Sequence, residues 1–374
     1  MVEHVPFTDI YADEAIVERV AEVLRSGRYV KGPVLEEFEE RFADAVGTEH
    51  AIGVSNGTAA LLLAMKGLEI GPGDEVFVPG HTYFATVSPV LEVGATPRVV
   101  DVDPDRLMMD PDALRAAVEA ADDPRAVAVT HMHGVPADMD PILDVVEEHD
   151  LLLIEDTAQA HLAEYEGRPV GSFGDAGCYS FYPTKNMTVG GDGGMITTDR
   201  DDLAAAARAL RNHGRDGSGE HVRLGLNYRL DETNAAVGIE QLERLPAWSE
   251  QRREAARAYD ERLEPVPGVE TPPNPDDATP VYHHYPVLVD DRERFRSFLD
   301  DRGVDTGVHY EVAIHEHPAV RERVGEASAP VAEDVCARTV SLPMHPRLSE
   351  AEIEHVCDAV EAYTARAEPE QGRR

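Results

Sequence analysis

The chain has 374 residues, 42% of them apolar, a length and composition that fit two packed domains and exclude global disorder. It carries 72 acidic against 34 basic residues, a net charge of −38 that disfavours nucleic acid and anionic lipid as partners. No apolar run is long enough to cross a membrane, and the acidic start MVEHVPFTDIYADEA, broken at Pro6, is no secretory signal, so the expected location is the cytoplasm.

The carboxylates are interleaved with apolar residues at helical spacing, as in VLEEFEERFADAV, which marks a solvated acidic surface rather than an acidic tail. Lysine is nearly eliminated: Lys31, Lys66 and Lys185 stand against 31 arginines. Both features point to a halophilic chain. At about 1 M salt the Debye length is roughly 3 Å, which screens the self-repulsion of such a surface. The chain is expected to lose structure in dilute buffer. Cys178, Cys336 and Cys357 are widely spaced without a CxxC pair, so each reads as a small buried apolar residue.

In chain order, the strand AIGVS (51–55) leads into the helical NGTAALLLAMKGL, and EVFVP (75–79) into TYFATVSPVLEVG. RVVDV (98–102) precedes the helix DPDALRAAVEAA, and RAVAVTHMHG (125–134) precedes MDPILDVVEEH. LLLIEDTAQA opens as an apolar strand, and AGCYSFY (176–182) and GGMITT (193–198) read as two more. Strands alternating with helices predict βαβ units: an α/β fold whose mostly parallel sheet is covered by helices, with ligands beyond the carboxyl ends of the strands. A large domain over 1–245 gives way to a smaller C-terminal α/β domain over 246–374. That domain starts with the polar helix LPAWSEQRREAARAYDERL and a proline-rich connector. The strand VYHHYPVLV and the helix DRERFRSFLDDRG follow, then a mixed helix and loop pattern through 332–365. The last residues, EPEQGRR, read as frayed.

Three stretches carry chemistry. In SNGTAAL (55–61) a strand ends and a helix begins at Thr58; its unpaired amide groups and positive dipole end suit a phosphate, although an ordinary helix cap has the same residues. In LIEDTAQAH (153–161) a strand ends in two carboxylates. Asp156 there can pair with a cation such as a protonated ring nitrogen, or cap the next helix; Ala158 is small enough for a flat ring to lie against, and Gln159 and His161 offer polar contacts. In SFYPTKN (180–186) the lysine has a use no arginine can fill, since Lys185 can condense with an aldehyde. PGHTYFAT (79–86) adds an aromatic residue to cover a ring. These pieces together suit pyridoxal 5'-phosphate. The glycine-rich VGGDGGM has neither GxGxxG nor GxxxxGK[ST] spacing and reads as a turn feeding the next strand. The histidine pairs 131/133, 283/284 and 315/317 lack cysteine partners or an HExxH frame, so no metal site is expected.

In this order the motifs resemble the DegT/DnrJ/EryC1/StrS aminotransferases nearly end to end. The carriers are SGRYVKGPVLEEFEERFA, GVSNGTAALLLAMKGLEIGPGDEVFVPGHTYFAT, HGVPADMDPI, the long EDTAQAH…GGMITT segment, RNHGR, GLNYRLDETNAAVGIEQL, GVHYEVAIHEHPA and SLPMHPRLSEAEIEHV. The resemblance implies the aspartate-aminotransferase fold (PLP fold type I) and amino transfer, with glutamate as donor, to a nucleotide-linked keto sugar. It implies that Lys185 holds the cofactor aldehyde as an imine and shuttles the proton once freed. Asp156 would keep the ring nitrogen protonated, Gln159 would face the ring hydroxyl and Tyr83 would stack on the ring. Gly57, Thr58 and Ser180 would hold the phosphate. Asn227 would reach it from the partner subunit, which makes the implied homodimer obligatory. His309 and Tyr310 fall in the implied substrate wall. His161-Leu162 departs from the glycine often found there in the family. Related chains in which histidine replaces the lysine dehydrate their sugars; Lys185 is intact, which favours amino transfer. A sugar dehydratase, a cyclic-ketone aminotransferase and a non-catalytic regulatory relative are the alternatives. The sugar, ring carbon and nucleotide depend on loops around 161–170, 213–223 and 307–317.

Overall fold

The alternating strands and helices assemble into one seven-stranded sheet. The structure, a computed structural model, describes residues 2–272 and 274–371. The sheet strands are β1 (His50–Val54), β2 (Glu75–Pro79), β3 (Thr96–Val100), β4 (Pro124–Thr130) and β5 (Leu152–Asp156). After two short strands, β6 (Glu164–Tyr165) and β7 (Arg168–Pro169), come β8 (Ala176–Ser180) and β9 (Gly194–Thr198). The order across the sheet is β1-β9-β8-β5-β4-β2-β3, and only β9 runs antiparallel to its neighbours.

Period-two alternation explains the two covered faces. Val76, Val78, Ala126, Ala128 and Ile154 pack with residues of the helices Gly57–Gly67 and Asp201–Leu210. Phe77, Val127, Val129 and Leu153, one residue out of phase, join Leu114 and Ile142 from the helices Pro111–Glu119 and Met139–Glu148. Burying Phe77 and the two valines contributes about 1.5–3 kcal/mol for each side chain. The strands β1, β2, β4, β5 and β8 all end at one edge of the sheet, and that edge carries the site.

The second half begins on a 32-residue helix, Glu232–Leu263, that starts 13 residues before the predicted one and runs through Pro246. Asp231 caps it by accepting from the Asn234 amide. The expected division at 245/246 falls inside it. Beyond it, a separate apolar cluster of Tyr259, Tyr285, Phe295, Leu342 and Val356 surrounds an antiparallel pair, β11 (Tyr285–Leu288) with β12 (Thr339–Leu342). The two-residue strand β10 (Ala278–Thr279) extends the β6–β7 pair. Strand β12 lies inside the stretch that reads as mixed helix and loop. The final helix keeps its backbone to Gln371, where the sequence reads as frayed; residues 372–374 of that end lie outside the described residues.

Candidate active site

Five segments leaving the strand ends meet around a cavity of about 680 Å³, within the range of small-molecule sites. Gly57, Thr58, Tyr83, Asp156, Ala158, Gln159, Ser180, Lys185, His309 and Tyr310 all line it. Two residues expected at the site are not in its wall: His161, and Asn227, which is exposed, next to Tyr228, which is in the wall.

Asp156 and Glu155 end the same strand but face opposite ways. Glu155 is fully buried and accepts from the amides of Gly171 (2.7 Å), Phe173 (2.7 Å) and Gly174 (2.9 Å), with His131 Nε2 at 3.2 Å. It ties down a loop. Asp156 accepts from Thr86 Oγ1 at 2.7 Å and from the Ala158 amide at 3.1 Å. Thr86 in turn meets Thr82 at 2.7 Å, and Thr82 meets Thr130 at 3.0 Å, a buried hydroxyl chain from two segments that ends on Asp156 in a third. Burial pushes the Asp156 carboxyl up, against the pull of Thr86, Ala158 and the charge of Lys185. A carboxylate has about four acceptor positions, so lone pairs remain for one more donor from the cavity.

Lys185 has its amide bonded to the Tyr182 carbonyl at 2.8 Å. Its side chain is mostly buried at the cavity wall, and burial brings its pKa down to about 8, with the charge of Asp156 resisting. A lysine so placed has a large neutral, nucleophilic fraction near neutral pH. The helix Gly57–Gly67 is capped by Asn56, whose Oδ1 accepts from the Ala59 amide at 2.8 Å; the cap expected of this motif is present alongside first-turn amides that open on the cavity. Gly57 lies against Ser180, and a Cβ there would come within 2.6 Å of Ser180 Cβ. Gly194 is equally confined: a Cβ would meet the Asn56 carbonyl at 2.5 Å, so the glycine run packs the turn closely.

Gln159 Oε1 accepts from the His133 amide at 2.7 Å and its Nε2 donates to Tyr310 Oη at 3.1 Å. Tyr83 stands half-exposed at the mouth, tilted over Tyr310 at 5.2 Å. His309 stacks between His284 (3.7 Å) and Phe7 (5.6 Å), and burial lowers its pKa to about 4. His161 departs from its expected polar contact with the site. It is fully buried among Tyr179 and Phe181, pairs through Nε2 with the Ser180 carbonyl at 2.9 Å, and burial lowers its pKa to about 3. Of the other histidines, His131 is held by Glu155 and by the Ala137 amide, and His315 by Glu333 at 3.0 Å. His283 and His284 border the cavity. Sequence reading passed over Thr82, Thr130 and Asp192; the i, i+4 spacing of Thr82 and Thr86 was a signal that both face one way.

The residues fit pyridoxal phosphate on their own chemistry. A confined glycine turn with free first-turn amides and the Ser180 hydroxyl suits a phosphate. A buried carboxylate with spare acceptor positions suits a ring N–H, and a lysine of low pKa suits an aldehyde.

The model of the DegT/DnrJ/EryC1/StrS aminotransferase family matches residues 11–361. A dTDP-3-amino-3,4,6-trideoxy-alpha-D-glucose transaminase of Streptomyces venezuelae is 42% identical over 370 residues, covering 97% of each chain. A UDP-2-acetamido-2-deoxy-3-oxo-D-glucuronate aminotransferase of Pseudomonas aeruginosa is 38% identical, with 91% of this chain and 94% of that protein covered. The crystal structure of S. venezuelae DesV in complex with a ketimine intermediate superposes with a TM-score of 0.94 at 40% identity, covering 97% of this chain and 99% of that one.

Proposed function

The chain belongs to the DegT/DnrJ/EryC1/StrS aminotransferase family, and from that premise we propose that it moves an amino group from glutamate to the ketone carbon of a nucleotide-linked keto sugar. It is an aminotransferase, and its cofactor is pyridoxal 5'-phosphate. The observation that carries the residue assignment is one cavity joining the buried Asp156, the low-pKa Lys185 and the amide end of the helix Gly57–Gly67.

When bound, the cofactor supplies an aldehyde carbon and a ring that withdraws electrons. The helix amides, with Thr58 and Ser180, bind its phosphate and fix its position. Asp156 holds a proton at the ring nitrogen; the Thr86 and Ala158 donors keep its oxygens aimed into the cavity. Ala158 leaves room for the ring, and Tyr83 covers the mouth. Lys185 Nζ, neutral in good part near pH 8, would take a proton from the donor's α-carbon and deliver it to the carbon on the other side of the amino nitrogen, the one the cofactor's aldehyde supplies. In the second half-reaction the same nitrogen moves the proton in reverse, so donor and sugar use one site in turn. Gln159 fixes Tyr310, and with His309 the tyrosine walls the space left for the sugar.

The active form is a homodimer with shared sites. Val222, Leu226 and the 97%-exposed Leu224 form an apolar edge around Asn227, which the chain's own cavity does not use. We place the boundary between a large cofactor domain, 1–245, and a small domain, 246–374, within the long helix; the apolar cluster that supports the small domain takes in the end of that helix and Val5 from the N-terminus. The net charge of −38 supports a halophilic, cytoplasmic protein, and among the described residues no helix is long and apolar enough to cross a membrane.

The test is incubation with nitrogen-labelled glutamate and a panel of dTDP- and UDP-linked keto sugars in high salt, read by mass spectrometry. Label in an amino sugar nucleotide is the expected result. Loss of water without label assigns a dehydratase instead, and label on a free cyclic ketone alone overturns the nucleotide reading.

A further inference from the structure

Thr82 and Thr130 border the cavity, and the chemistry proposed for the site gives neither of them a task. We infer that both are positioning residues: with Thr86 they form a hydroxyl chain polarised toward Asp156 Oδ2, which keeps that carboxylate charged and so keeps a proton on the cofactor's ring nitrogen. The inference rests on the pairing of Asp156 with that nitrogen proposed above.

A buried hydroxyl is unfavourable unless it is hydrogen-bonded, and valine would fill the same space. Thr86 is fully buried in the first turn of the helix Phe84–Glu92, Thr82 is 2% exposed in the segment leading to it, and Thr130, 5% exposed, ends β4. Strands β4 and β5 run parallel with Thr130 in register with Asp156, so strand pairing sets the far end of the chain beside the carboxylate. Thr86 Oγ1 reaches both Asp156 Oδ2 and Thr82 Oγ1 at 2.7 Å, and Thr82 Oγ1 reaches Thr130 Oγ1 at 3.0 Å. Among the described residues the three hydroxyls have no other hydrogen-bond partner.

A hydroxyl has one proton, and that fixes the direction of every bond in the chain. Facing a carboxylate, Thr86 donates to Asp156. Its proton is then used, so Thr82 donates to Thr86, and by the same count Thr130 donates to Thr82. All three dipoles point at Oδ2, and each bond polarises the next.

Nothing else around the carboxylate replaces this chain. Of the titratable groups near Asp156, Lys185 is the point of cofactor attachment, and His131 is held by Glu155 at 3.2 Å. Glu155, Cys178 and Tyr310 supply no positive charge. Burial drives Asp156 toward its protonated form, and the donors that resist are the Ala158 amide on Oδ1 and the chain on Oδ2. Losing a donor to a charged group corresponds to about 1–2 pH units, and losing a hydroxyl one step back to about 0.5–1. The proton shared by Asp156 and the ring then moves from the nitrogen to the carboxyl, and the ring withdraws electrons less strongly.

The experiment uses the holoenzyme loaded with cofactor isotope-labelled at the ring nitrogen, whose nitrogen NMR shift reports whether that atom carries a proton. The expected result is a protonated signal in wild type, a move toward the unprotonated position in Thr82→Val and a larger move in Thr86→Val. Thr82→Ser, which keeps the hydroxyl, restores the wild-type signal. Valine variants with the wild-type signal, or a serine variant that behaves like valine, overturn the inference and leave the Asp156 pairing standing. A wild-type ring nitrogen without its proton overturns both. Should a valine variant fail to hold the cofactor, the Asp156 carboxyl is titrated in the cofactor-free protein by infrared difference against Asp156→Asn. A midpoint raised by about 0.5–1 pH unit in Thr82→Val supports the chain, and an unchanged midpoint overturns it.

Discussion

At the scale of single residues, the site is built from groups whose burial and function conflict. Asp156 is the clearest case. Its folded pKa is raised, so folding favours the protonated carboxyl; that contribution is full below the ordinary carboxylate range and is lost as pH rises through the raised value. In the cofactor-free protein at neutral pH the group is therefore a burden. Asp156→Asn is expected to raise the thermal midpoint of the cofactor-free protein while lowering kcat about a hundredfold or more; differential scanning fluorimetry and steady-state assays check both, and a lower midpoint with unchanged kcat counts against the role. Lys185 is depressed instead, to about 8. Its trapping of added pyridoxal phosphate by cyanoborohydride is expected to rise through a midpoint near pH 8, measured by peptide mapping. A midpoint near the ordinary lysine value of about 10.4 contradicts the burial argument.

At the scale of elements, strand ends and helix starts place the chemistry. Removing the Glu155 carboxylate leaves three backbone amides of the 171–174 loop unpaired in a buried place. Glu155→Ala is expected to destabilise the fold by roughly 3 kcal/mol or more, read by denaturant unfolding. Gly57→Ala drives a Cβ into Ser180; cofactor affinity is expected to weaken about tenfold or more, read by equilibrium dialysis, and the cofactor-free chain to lose about 1–3 kcal/mol of stability, read by denaturant unfolding. Much of this scaffold was legible, because Asp156, Lys185 and the Asn56–Thr58 turn each sit in a short contiguous motif. What stayed hidden depends on contacts between distant segments. That Glu155 and not Asp156 would clamp a loop needed the strand's phase. The Thr130–Thr82–Thr86 chain joins two segments to Asp156 in a third, and the burial of His161 under Tyr179 and Phe181 needed the helix Pro33–Val46 to close that side. The reversed direction of β9 left a trace in the sequence: no helix separates it from β8, and a parallel neighbour requires a crossover. Strand β12 is four residues long beside a helix, too short for its alternation to register.

At the scale of the whole molecule, we propose that charge and assembly decide whether the site works. With a net charge of −38, dilution removes the screening of the surface charge, on which the proposed halophilic fold would rely. Dialysis from molar salt to low-salt buffer is expected to abolish ellipticity and activity together; retention of both contradicts the halophilic reading. Shared sites predict complementation: mixing inactive Lys185→Ala with inactive Asn227→Ala protein under subunit exchange should restore activity, because one of the two sites in each mixed dimer is then intact. A mixture as inactive as its components argues that each chain works alone. The account as a whole stands on Lys185 as the point of attachment. The purified protein with its cofactor is reduced with borohydride, digested and mapped by mass spectrometry. The predicted result is a single pyridoxyl phosphate adduct on the peptide containing Lys185; an unmodified Lys185 peptide, or an adduct only on Lys31 or Lys66, contradicts it.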